Sequence, residues 1–503
     1  MFKSSLKILL AIVLFLSILG YALDRKDQQQ DSTKVDTVQQ PAKQQQSEMQ
    51  HNDEIHISHS NALHGIEVKL DGRVSFNDDY RSITGISQNG YLMIRERRWF
   101  TSRILEVTPG KNGPEFQFRF RGRSMPYDER AQEWISEILP DVIRETGINA
   151  DQRVQELLEL GGAKAVYREI SRMETSSAKY LYFKRLLQYG SLNNDELLDL
   201  AKRIPDEIRS SSKLRNMLSA AASFYLENDE LTAELFRGAT RISSSGEKRL
   251  AITTIAETRT VQSESALEMA KAIQTISSSG EKRAALVTMP KYCPMDEDVI
   301  FEYLYTAESI SSSGERAEAL IALIETKSLP HKSWVDLART TKTISSSGEK
   351  TRTLNRFATQ CPTDDDVIRE YLETAKSISS SGSKASAILA LSQRKKLSPG
   401  AYKMVFHTTK TISSSSEKAN VLRRYAAITP LQDDVLFGFL DAAFSISSSG
   451  NKLSVIRELL QRDGISTAVL KEIKSRTNQM SGRSSREALL DMVSEKMLEE
   501  TTL

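Results

Sequence analysis

The chain has 503 residues, 39% of them hydrophobic and 27% charged. Its 68 basic residues nearly balance 66 acidic ones, for a formal net charge of +2, so bulk charge points to neither nucleic acid nor an acidic substrate. Two cysteines in a chain of this length exclude a disulfide framework.

Residues 1–23 read as a signal peptide or a membrane anchor. Lys3 and Lys7 precede an apolar run at 8–19, and Gly20-Tyr21-Ala22 places small residues where a signal peptidase would cut. The apolar stretch to Leu23 would make roughly 24 Å of helix, short of the ~30 Å hydrocarbon core, so cleavage competes with retention as an inner-membrane anchor. On either reading the remainder is exported to the periplasm or cell envelope. No cysteine follows the run, which excludes a lipoprotein anchor there.

Residues 24–62 form a linker rich in Gln, Ser, Asp and Lys, too poor in apolar groups to fold alone. His51, His56, His59 and His64 cluster at its end, but without cysteine or the glutamate of a zincin helix they read as solvated side chains rather than metal ligands. Residues 63–125 then alternate as a small antiparallel β-domain. Ile66, Val68 and Leu70 lead to an Asp71-Gly72 hairpin signal, after which Val74 and Phe76 resume the pattern. Leu92 and Ile94 follow an Asn89-Gly90 turn, and Phe116, Phe118 and Phe120 line one face of a last strand. Arg95, Arg97 and Arg121 are among six arginines that make this domain basic, a solvated face or a candidate partner contact.

From Asp128 the period becomes helical, with Trp134, Ile135, Ile138, Leu139 and Val142 on one face. Within residues 126–503, Ile208, Ile242, Ile276, Ile310, Ile344, Ile378, Ile412 and Ile446 recur every 34 residues, six of them followed by Ser-Ser-Ser-Gly and three by the full Ser-Ser-Ser-Gly-Glu-Lys. Met173 and Met480 extend the series. Such a period marks a repeat architecture. In one unit, residues 298–310 supply a first helix through Val299, Phe301, Tyr303, Leu304 and Ala307. The serines break it, and a second helix follows with Ala317, Leu320, Leu323 and Ile324 on one face. The residue ten after each marker is apolar in ten of ten copies, from Phe183 and Leu218 through Leu320 and Leu354 to Leu490, which predicts a core position. The first-helix pattern of tetratricopeptide repeats is missing, so the prediction is a mainly α fold: a HEAT-like α-solenoid of about ten hairpins. A longer period of 68 pairs Tyr303-Leu304-x-Thr306-Ala307 with Tyr371-Leu372-x-Thr374-Ala375. Cys293 and Cys361 fall at equivalent places two repeats apart, about 20 Å at helix-packing distances, and are expected to be free thiols.

The polar residues of the repeat carry the functional question. Ser244 and its equivalents are expected to N-cap the second helix, with Glu247 three residues on returning the bond as a capping box. Capping accounts for one serine per turn, leaving two hydroxyls for tight turning or for a ligand-facing ladder. The residue six after each marker is basic in every copy except Leu214: Lys179 first, then Lys248, Lys282, Arg316, Lys350, Lys384, Lys418, Lys452 and Arg486. Its stem is expected to pack beside the core, with the head on the C-terminal carbonyls of the preceding helix. The competing reading is a stripe of cations for a partner or an anionic polymer. Acidic loops at 296–298, 364–366 and 432–434 suit helix N-termini and lack the glycine-turned spacing of a calcium loop.

The helical hairpins resemble repeats of bacterial envelope proteins in which Ile-x-Ser-Asp-Tyr-acid-Arg/Lys fills the turn between helices. Similar segments lie beyond the peptidase domain of some β-lactam-sensor-type membrane metallopeptidases. The sheet region is similar too, through Asp71-Gly72-Arg73-Val74-Ser75-Phe76-Asn77-Asp78-Asp79, through Ile86-Ser87 with Gly90-Tyr91-Leu92, and through Leu105-Glu106-Val107-Thr108-Pro109-Gly110. This chain has Ser-Gly where Asp-Tyr is usual, and it contains neither His-Glu-x-x-His nor several membrane segments, so peptidase activity is not implied. Nor is there a nucleophile elbow, a phosphate-cradling loop or a zinc framework. The expectation is an exported, non-enzymatic scaffold without cofactor or metal, binding protein partners and not nucleic acid at the bacterial envelope. The alternative is recognition of an anionic envelope glycan or polymer by the Lys/Arg row.

Overall fold

The computed structural model describes residues 55–60, 64–98, 101–224, 228–326, 329–394 and 397–502. The signal or anchor segment and most of the linker lie outside these residues. The described residues fall into two compact units: those up to Ser75 with Thr84–Ser124, and Phe76–Ile83 with those from Met125 on.

The first unit is built on a six-stranded antiparallel sheet in the order β1 (Ile55–Ser60), β2 (His64–Asp71), β5 (Tyr91–Arg98), β6 (Thr101–Gly110), β7 (Gly113–Phe120) and β8 (Arg123–Met125). Alternation aligns in rows across it. Val68, Ile94, Leu105 and Phe118 stand opposite one another, as do Leu70, Leu92, Val107 and Phe116. All of these except Phe116 are buried, the side-chain rows that stabilise a sheet. Two expectations need correction. β1 falls inside the stretch read as linker, pairing with β2 from Ile55 opposite Leu70 to Ser60 opposite Gly65, so His56 and His59 belong to a strand. And Asp71-Gly72 does not close a hairpin. Gly72 turns the chain with φ +81°, but β2 pairs with β5, while β3 (Val74–Phe76) pairs with β4 (Ile83–Ile86) in a separate two-stranded sheet. The turn signal was local, and partner choice was decided by the longer apolar rows.

The second unit is mainly helical. It begins with α1 (Glu129–Thr146), α2 (Ala150–Ile170, interrupted at Gly161-Gly162), α3 (Ser176–Tyr189), α4 (Asn194–Glu207), α5 (Ser211–Phe224), α6 (Asp229–Ala239) and α7 (Ser245–Thr258). It continues through α8 (Ser263–Gln274), α9 (Ser279–Leu286), the single turn α10 (Met289–Tyr292), α11 (Glu297–Glu308), α12 (Ser313–Ile324), α13 (His331–Lys342) and α14 (Ser347–Gln360). The last are α15 (Asp365–Lys376), α16 (Ser381–Leu391), α17 (Pro399–Lys410), α18 (Ser415–Ala426), α19 (Asp433–Phe444), α20 (Ser449–Leu460), α21 (Thr467–Thr477) and α22 (Arg483–Thr502).

First helices stack on first helices along α6, α8, α11, α13, α15, α17, α19 and α21. Second helices stack on second helices along α5, α7, α9, α12, α14, α16, α18, α20 and α22. This is a HEAT-like solenoid, and one hydrophobic core runs from Ala150 to Val493. Each hairpin is too small to bury its own apolar faces, so its neighbours must. The repeat isoleucines are at most 1% exposed. Nine of the ten residues at the predicted core position, Phe183 to Ile456, are fully buried. Leu490 is not, and Leu489 takes its place in the terminal helix. Of the apolar residues that signalled the first helix, Phe301 is 62% exposed on α11, with Ile300 buried beside it. Both Cys293 and Cys361 are free and buried, and burial pushes each thiol up to about 12. Among the described residues no helix is long and apolar enough to cross a membrane.

Candidate functional site

The serine turns divide their labour among three hydroxyls. The second serine is the N-cap: Ser244, Ser278, Ser312, Ser346 and Ser414 accept from the amide of the glutamate three residues on, and Ser380 and Ser448 accept from Ser383 and Asn451. The third serine reaches the first serine of the next hairpin. Eight such Oγ–Oγ pairs form a ladder from Ser211–Ser243 to Ser449–Ser481, at 2.7–3.2 Å. The same third serine also accepts the amide of the next cap, as Ser313 does from Ser346 at 3.4 Å and Ser381 from Ser414 at 3.3 Å. The expected capping box is therefore only half formed. The cap amide is taken by the neighbouring hairpin, and Glu247, Glu281 and Glu315 turn back to Arg215, Arg249 and Arg283 of the preceding hairpin.

The cation row is buried. Lys248, Lys282, Lys350, Lys384, Lys418 and Lys452 are each 6–8% exposed, and burial holds their amines below the ordinary lysine range. All of these heads but that of Lys452 do meet a helix C-terminus, but that of the following hairpin's first helix, not the preceding helix. Lys248 Nζ donates to Thr275 Oγ1, Lys282 to Ser309 Oγ and Lys350 to Ser377 Oγ, all at 2.9 Å. Lys384 reaches Thr411 Oγ1 at 3.3 Å and Lys418 reaches Ser445 Oγ at 3.2 Å. These hydroxyls are the C-cap residues, and each donates onward to its own helix, for instance Ser377 Oγ to the Thr374 carbonyl at 2.6 Å. The ammonium thus satisfies groups that a helix end leaves open. Arg316 spans both neighbours, donating to the Ile310 carbonyl at 2.6 Å and to Thr343 Oγ1 at 2.9 Å. Lys452 lies 5.5 Å from the Phe444 ring. The arginines of the sheet stay near its surface. Arg95 pairs with Glu67 at 2.7 Å, Arg97 is exposed, and the exposed Arg121 lies over the Phe120 ring at 5.5 Å.

The acidic loops are helix N-termini, as expected. Asp296 caps α11 and accepts from Ser263 Oγ at 2.5 Å one hairpin back; Asp366 meets His331 Nε2 at 2.8 Å; Asp434 pairs with Lys403. Asp366 raises the proton affinity of the His331 ring.

Two arrangements escaped the sequence. Glu169, 6% exposed, accepts from Arg144 at 3.0 Å and Arg153 at 2.7 Å. Arg153 also donates to Tyr182 Oη at 2.9 Å and stacks 4.6 Å from the Tyr80 ring, whose hydroxyl donates to Glu156 at 2.8 Å. These residues lie before the regular repeats, where no period announces them. The second is a groove of about 760 Å³ across α14, α16 and α18, lined by Asn355, Gly382, Ala385, Ser386, Glu417 and Arg424 among others. Its signal was a loss of side chain from a repeat position, which a search for retained residues passes over.

No known protein family's model matches the chain, and a search of curated proteins finds no significant relative.

Proposed function

We propose that this protein is a non-enzymatic scaffold, exported to the bacterial cell envelope, that holds protein partners along its solenoid. The observation that carries this reading is where the repeat's polar groups are spent. Serine ladder, cap glutamates and buried lysines bond neighbouring hairpins together, so they build the array and leave the helix faces, which vary from repeat to repeat, to recognise partners. The exposed aromatic pair Phe301 and Tyr305, 62% and 54% exposed on α11, is one such variable feature. The cationic-stripe reading loses support, because the lysines it needs are buried against C-caps. Export rests on the N-terminal apolar run alone.

Affinity capture from envelope extract with the full chain, followed by cross-linking, tests this. Specific protein partners whose cross-links map to the helical unit support it. Capture of an anionic glycan that is lost steeply with salt, and of no protein, would overturn it.

A further inference from the structure

The groove holds a repeat glutamate that completes no ion pair within the described array. In earlier hairpins an arginine seven residues after the repeat isoleucine meets the glutamate five after the next: Arg215 with Glu247, Arg249 with Glu281, and Arg283 with Glu315 at 2.7 Å. From Ile310 on the arginine position holds Ala317, Thr351 and Ala385. Glu349 then pairs with Arg352 of its own helix at 2.8 Å and Ser383 stands where the next glutamate would be, whereas Glu417, after Ala385, forms no ion pair among the described residues. Alanine there, with Gly382 and Ser386 on the same helix, opens the volume an arginine side chain would fill. In the same wall Asn355 donates Nδ2 to Ser386 Oγ at 3.3 Å and leaves Oδ1 without a donor. The two unmet groups are both acceptors, and one is charged.

We propose that this groove receives an arginine side chain of a partner protein, laid over Ala385 to pair with Glu417, so that the partner supplies the ion pair that three earlier hairpins make internally. This rests on the scaffold reading and names its docking site. A guanidinium fits better than an ammonium: its planar fork can give two parallel bonds to the Glu417 carboxylate. At the other end, Arg424 gives its Nε to Ser392 Oγ at 3.3 Å. It stands seven residues, about 10 Å, along α18 from Glu417. Its charge disfavours a second cation, so the docking segment carries one arginine followed by neutral or acidic residues.

The test is selection of random twelve-residue peptides displayed against the full chain, with binders measured by fluorescence polarisation. Selected peptides should be enriched in a single arginine. They should weaken about tenfold or more when that arginine is replaced by citrulline, and by a similar factor on Glu417→Gln. Ala385→Arg should also abolish binding and raise the melting temperature, because the internal arginine fills the groove. Recovery of no binder, of binders without arginine, or of binders indifferent to Glu417→Gln would overturn the proposal. An envelope partner held equally by wild type and Glu417→Gln would keep the scaffold and remove the groove. A chain that retains no envelope protein would remove the scaffold itself, whatever the peptides do.

Discussion

At the scale of single residues, the buried lysines decide what the repeat motif is for. Lys350 and Lys418 hold their protons less firmly than free lysine because burial strips water from the ammonium, with like charge from Lys342 and Lys410 adding to it. An amine whose folded-state affinity lies below its unfolded value of 10.5 binds fewer protons when folded, so stability rises as pH climbs toward that value. Relative to Lys350→Met combined with Lys418→Met, the wild-type chain should therefore gain stability as pH rises toward 10.5, measured by denaturant unfolding at several pH values. A difference that does not change with pH would mean that the ammonium groups are solvated. Position in the helix made the burial of the stem legible. It did not tell which neighbour the head would meet, because one helix face borders both hairpins of a stack and the direction of stacking is not written in a single repeat.

At the scale of helices, the 68-residue period has a physical counterpart. Tyr303 Oη donates to the Ala319 carbonyl at 2.7 Å and Tyr371 Oη to the Ala387 carbonyl at 2.6 Å, each binding the first helix of a hairpin to its second. Thr374 Oγ1 reaches the Ala338 carbonyl of the previous first helix at 2.8 Å, and Thr306 reaches that of Ala270 at 3.3 Å. Tyr303→Phe and Tyr371→Phe should each destabilise by about 1 kcal/mol, and because the sites share no partner their effects should add, as equilibrium unfolding of the double variant would show. Leu320, fully buried in α12, should cost roughly 2–5 kcal/mol as alanine. A loss below about 0.5 kcal/mol, typical of surface substitutions, would place it outside the core. The helices themselves were legible because 34-residue spacing and apolar periodicity agree. Which apolar residues of a first helix are buried was less legible: Phe301 lies one position from the core stripe, and only the packed neighbour shows that Ile300 takes the buried place. The interruption of the second helix before Met289 has its cause in Pro290, whose ring and missing amide hydrogen do not suit a helix interior.

At the scale of the whole array, stability is a sum of hairpins and of the interfaces between them. The interfaces carry a polar seam in addition to the apolar core: a serine hydroxyl pair, a shared cap amide and a lysine-to-C-cap bond between the hairpins of Ile310 and Ile344 or Ile344 and Ile378. The core was legible because each repeat restates it. The seam was not, since its bonds join residues 27, 32 and 33 apart and look like surface polarity within any one copy. The candidate groove was harder still, because its mark is a glutamate, Glu417, left without the partner that Glu247, Glu281, Glu315 and Glu349 each find. The most direct test of the seam is a double-mutant cycle on the Ser313–Ser345 pair, whose oxygens lie 2.9 Å apart. Unfolding free energies of Ser313→Ala, Ser345→Ala and the double variant should reveal a favourable coupling of about 0.5–1.5 kcal/mol. Strict additivity of the two substitutions would contradict it, and would return the serines to the surface as free hydroxyls.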